Sequence, residues 1–67
     1  MELVGKIYQK INNSSGYILG SDGKLYLYFC YDFIEDFDDK IGEVVLFKSE
    51  ESKILRATYI SKYYDED

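Results

Sequence analysis

The chain predicts an all-β fold, a small barrel of five strands, and three observations lead there. Val, Ile, Tyr, Phe and Leu gather in short runs, clusters of Gly, Ser, Asn and Asp separate those runs, and no proline interrupts any of them. Sixty-seven residues make one domain, and an apolar share of 46% is ordinary for a globular chain and argues against disorder. A core of this size supplies only about 3–5 kcal/mol of net stability, so the fold must be compact.

The first strand is expected at Leu3–Ile11, where Ile7 and Ile11 share one parity and Lys6, Tyr8 and Lys10 the other. NNSSG at 12–16 is a polar reversal into the second strand, Gly16–Gly20, in which Ile18 reads as core and Tyr17 points outward. Asp22-Gly23 is the dipeptide that type I′ turns favour, because both central positions need positive φ, and it leads into the third strand, Lys24–Tyr31. The link 31–42 is long, acidic and partly aromatic, with a helical turn expected around Phe33–Phe37. The fourth and fifth strands, Gly42–Lys48 and Ile54–Lys62, are joined by SEES at 49–52. Five short strands that cannot bury both faces do best by curling on themselves, which removes exposed edges. An OB-type barrel over residues 1–62, followed by an acidic tail at 63–67, is the expected architecture. An SH3-like barrel of the same length and strand count is the alternative.

The stretch LYLYF at 25–29 raises the functional question. Leu25, Leu27, Phe29 and Tyr31 lie on one parity, and Lys24, Tyr26, Tyr28 and Cys30 on the other. With the leucines assigned to the core, Tyr26 and Tyr28 point outward together. Lys6, Tyr8, Lys10, Tyr17, Lys24, Tyr26 and Tyr28 would then share one side of three adjacent strands. Rings interleaved with lysines suit single-stranded nucleic acid, since every base has a π-face and every linkage a negative charge. A purely structural reading competes with this one, because tyrosine is a good strand former and cross-strand aromatic pairs stabilise a sheet without any ligand. The nucleic-acid case depends on the rings of Tyr26 and Tyr28 standing outside the barrel.

With its neighbours, LYLYF resembles the V-F-V-H-F motif of the bacterial cold-shock domain. Gly5-Lys6-Ile7 is similar to that family's G-K-V opening, Asn12-Asn13 to its Asn-bearing turn, and Ser15-Gly16-Tyr17-Ile18 to a shortened K-G-[FY]-G-F-[IV]. Gly42 to Phe47 resembles its fourth strand, and Ala57 with Ile60 its fifth. The resemblance spans residues 3–62 and implies an OB-fold that binds single-stranded RNA or DNA. It places base stacking on Tyr17, Tyr26, Tyr28 and Phe29 and a surface lysine at Lys6. The family's first-strand tryptophan and the phenylalanine after it fall on Gln9 and Lys10, and its histidine on Tyr28, so weak, low-specificity binding is what the resemblance implies.

Charge raises a second reading. The net charge is −5, with residues 1–31 holding three lysines against two acids and residues 32–67 five cations against eleven acids. Only the first half could meet a phosphate chain without repulsion. The carboxylates Asp32, Glu35, Asp36, Asp38 and Asp39, with the acidic tail, make an acidic protein-interaction module or inhibitor the alternative, its partner a basic protein. A calcium site is not expected, because no start in this loop supplies both the Gly and the Glu that an EF-hand needs. There is no histidine, Gly-rich phosphate loop or zinc-ligand spacing, so neither an enzyme nor a cofactor is expected. No apolar run approaches the roughly 18 residues of a bilayer span. The opening MELVGKIYQK is charged where a secretory leader needs an apolar stretch, and the lone Cys30 fits a reducing compartment. A cytoplasmic protein with no membrane role is therefore expected.

Overall fold

The computed structural model describes residues 2–64. Its strands are β1 (Glu2–Lys10), β2 (Ser15–Gly20), β3 (Leu25–Phe29), β4 (Val44–Glu51) and β5 (Leu55–Lys62), with a 3-10 turn at Cys30–Asp32. They close in the order β1-β2-β3-β5-β4. All neighbours run antiparallel except β3 and β5, which meet in parallel at Leu27 and Arg56. A three-stranded meander, a long crossover and a hairpin that returns to β1 form a small OB-type barrel. No helix among the described residues is long and apolar enough to cross a membrane.

The interior is filled by Ile7, Ile18, Tyr26, Tyr28, Val45, Phe47, Ala57 and Ile60. Tyr26 and Tyr28 are each 1% exposed, which overturns the expectation that they face outward. Leucines are not the only residues fit for a core. A tyrosine can bury its ring when its hydroxyl reaches a polar group at the barrel's mouth. Tyr26 Oη donates to Asp22 Oδ2 at 2.5 Å, and Tyr28 Oη donates to Asp39 Oδ2 at 3.2 Å. Room for the rings comes from glycine. Gly16 lies opposite Tyr28 in the ladder, and a Cβ there would sit 2.8 Å from the Tyr28 oxygen and 2.5 Å from the carbonyl oxygen of Gln9. Leu27 and Phe29 turn instead to the outer surface, half-buried against their neighbours.

Local features differ from expectation for identifiable reasons. The β2–β3 turn places Gly23 alone at positive φ (83°), with Gly20 C=O accepting from the Gly23 N–H, so the turn is not type I′. Asp22 spends its carboxylate on the Lys24 N–H and the Tyr26 hydroxyl. The last hairpin turns at 52–54, because Ser49 to Glu51 keep their pairing with β5. Residues 33–37 form no helical turn. The Ile34 N–H donates to the Ile60 carbonyl, which draws the chain out alongside β5, with Phe33 bridged to Ile60. Ile11 is exposed, because a bulge between Ile7 and Gln9 shifts the register of β1 before it ends.

Candidate functional site

The residues expected to bind nucleic acid do not form one platform. Tyr26 and Tyr28 are interior. The hydrogen bond to Asp22, then burial, push the Tyr26 hydroxyl up to about 12, while the same bond holds Asp22 below its ordinary range. Burial, then the nearby charge of Asp39, push Tyr28 up to about 12. Tyr8 and Lys6 are exposed on β1, and Tyr17 is half-buried on β2, flanked in the ladder by Gln9 and Leu27. Lys10 is paired with Asp39 at 3.2 Å and Lys24 with Glu51 at 3.7 Å, which spends two of the three lysines expected near phosphates. Phe29 lies between Tyr31, stacked at a centroid distance of 5.3 Å and 10° between planes, and the Arg56 guanidinium, 4.7 Å from its ring centre.

The acidic residues of the crossover are likewise divided. Asp32 is buried and structural: its Oδ2 accepts from the Phe29 N–H at 2.8 Å and from Arg56 Nη2 at 2.9 Å. Burial works against the charge of Arg56, but the bond and attraction to Asp32, together with those to the Tyr31 hydroxyl, more than offset it and raise its pKa. Glu35 accepts from the Lys62 N–H at 2.7 Å. Asp39 serves Lys10 and Tyr28 together. Asp36 and Asp38 are exposed and have no ion pair among the described residues. The acidic residues 65–67 lie outside the described residues.

Beside this loop the surface opens into a groove of about 360 Å³ lined by Tyr31, Asp32, Ile34, Glu50, Thr58 and Tyr59. Its aromatic and apolar walls are unusually open to water: Tyr31 is 73% exposed, and Ile34 and Tyr59 are each 62% exposed. Tyr59 is the product of a bulge. Leu46 pairs with Ser61 and Lys48 with Thr58, so Phe47 alone faces both Tyr59 and Ile60. Ile60 turns into the core, and Tyr59 is thrown outward at φ 51°, with Lys48 Nζ 5.1 Å from its ring centre. A bulky residue in this left-handed region costs about 1–2 kcal/mol.

Tyr31, Ile34, Glu50 and Tyr59 were not expected as site residues from the sequence. One signal pointed to Tyr59. Ala57 and Ile60 both fit core positions, yet they are three apart, and a strand of period two can bury both only by bulging between them. In comparisons with known proteins, no family model and no curated protein matches this chain.

Proposed function

We propose that this chain is a protein-binding module that engages a basic, partly apolar segment of a partner through its 32–39 loop and the adjoining groove, and that it acts by binding and not by catalysis. The observation that carries this reading is how firmly the loop is held. Asp32, Glu35 and Asp39 tie it to β3, β5 and β1. The Ile34 N–H joins it to β5, and Phe33 and Phe37 anchor it against the core beside Tyr28.

Closure of the barrel accounts for Phe33 and Phe37. It does not account for Ile34, Asp36 and Asp38, which are held in a fixed frame and turned to water. A loop kept only for solubility needs no such fastening, whereas a prearranged surface lowers the ordering cost of association. Clustered carboxylates around an apolar centre favour a cationic partner and steer its approach. The nucleic-acid reading keeps Tyr8, Tyr17 and Phe29 at the surface but loses the two rings on which it depended, so the protein-binding reading is the better supported.

The test is capture with the tagged chain from lysate with and without nuclease treatment. Recovery of a basic protein by the parent, and its loss with Asp36→Asn plus Asp38→Asn, is the expected result. Asp39 is left intact because its carboxylate holds Tyr28. Capture that vanishes with nuclease, or that ignores the two Asn substitutions, refutes the proposal.

A further inference from the structure

We infer that the groove between Tyr31 and Tyr59 receives the side chain of an arginine or lysine from that partner, its charged head meeting Glu50 and its aliphatic stem lying along Ile34. The inference rests on the protein-binding reading and deepens it by naming the group recognised.

Three features converge on a cation. The walls present two exposed tyrosines, each with one ring face taken, Tyr31's by Phe29 and Tyr59's by Lys48, and the open faces attract positive charge. The acceptors present are Glu50, Asp32 and the Thr58 hydroxyl. Asp32 is already committed to Arg56, and Glu50 has no ion pair among the described residues, so Glu50 is the carboxylate left for a newcomer. An arriving anion would meet Glu50 and Asp32 inside the groove and Asp36 close to it in the chain. Two resident cations adjoin the groove: Arg56, already bound to Asp32, and Lys48, which lies over the Tyr59 ring and shows that this ring accepts a cation.

Backbone geometry adds an independent observation. Tyr59 is a bulky residue at φ 51°, a conformation that glycine adopts without strain, and the fold gains no core contact from its exposed ring. Strained residues of this kind concentrate where a side chain must be aimed at a ligand. Here the bulge aims Tyr59 at the groove's mouth.

The experiment is an amide-shift titration of the full chain at low salt with three probes: a peptide of four arginines spaced by Gly-Ser, the same peptide with citrulline, and oligo-dT. The arginine peptide is expected to move the amides of Tyr31, Ile34, Thr58 and Tyr59, and the neutral citrulline peptide to leave them unmoved. Tyr59→Gly relieves the backbone strain and so folds at least as well, yet should weaken arginine-peptide binding on the order of tenfold. Glu50→Gln should weaken it about threefold. An equal response to citrulline, undiminished binding by Tyr59→Gly, or no shift at millimolar peptide overturns the inference. Oligo-dT saturating the same amides at lower concentration overturns it in favour of nucleic acid. Shifts centred on Asp36 and Asp38 overturn the groove while leaving the protein-binding reading intact, and that reading is judged separately by capture.

Discussion

Replacing Tyr28 with alanine should unfold the protein or bring it close to unfolding. The ring is 1% exposed, meets the edge of Phe33 at a centroid distance of 5.4 Å, and fills the space opposite Gly16. Truncating a buried aromatic costs about 3–5 kcal/mol, within which the aromatic pair contributes roughly 0.5–1.5 kcal/mol. A core this small supplies only about 3–5 kcal/mol in all. The substitution therefore removes nearly everything that keeps the barrel folded. Tyr28→Phe separates ring from hydroxyl: it deletes only the 3.2 Å bond to Asp39, whose carboxylate keeps Lys10, and should cost about 1 kcal/mol. Thermal melting with amide-shift dispersion reads both variants. For a domain of this size each kcal/mol moves the midpoint by about 4–8 °C. Tyr28→Ala is expected to lose its cooperative transition, and Tyr28→Phe to melt a few degrees early. If Tyr28→Ala melts within about 4 °C of the parent, as a surface substitution would, the ring is not in the core and the fold's account of β3 fails.

Both interior hydroxyls have pKa values raised to about 12 from an ordinary 10.0, so the folded state favours their protonated forms. Their contribution is complete below pH 10 and is lost as pH climbs through 12, at no more than about 1.4 kcal/mol per unit for each ring and less where solvent screens the hydroxyl. Urea midpoints should hold steady to pH 9.5 and fall between pH 10 and 12, and Tyr26→Phe with Tyr28→Phe should flatten that fall. Arg56→Met keeps an apolar stem but strands the buried Asp32 carboxylate, and should cost about 2–3 kcal/mol in chemical denaturation, less than a wholly buried pair because Arg56 is partly open to water. Gly16→Ala puts a methyl 2.5 Å from the Gln9 carbonyl oxygen and should cost roughly 1–3 kcal/mol in the same assay, with amide shifts concentrated at Gln9 and Tyr28.

Much of the architecture was legible in the sequence. The five runs lie within three residues of the strands at every boundary, and the order of meander, crossover and hairpin is as expected. The faces of β3 differ from those that composition suggests, although the constraint is present in the sequence. Ile18 was assigned to the core, and a short turn centred on Asp22 sets Tyr26 directly opposite it, so the two must share a face. Gly16 and Gly20 have the same parity as Ile18, which leaves interior space that only large side chains could fill. Composition alone favoured the leucines, and cross-strand register decided otherwise. The acidic loop was legible as a charged segment, but three of its five carboxylates are tethers, a distinction that depends on partners distant in the chain such as Arg56, Lys62 and Lys10. The groove could not be read from spacing, because it joins the turn after β3 to the bulge of β5 across the crossover.

The parallel junction of β3 with β5 rests on a single ladder pair, Leu27 with Arg56, whereas every other seam is antiparallel and longer. A closed ring opens first along its shortest seam. The Arg56 guanidinium, lying over Phe29 of β3 and bonded to Asp32 just beyond it, acts as the clasp there. Transient opening there, with β1 still paired to β4, leaves one curled open sheet in the order β3-β2-β1-β4-β5, with amide hydrogen exchange starting at residues 27 and 56.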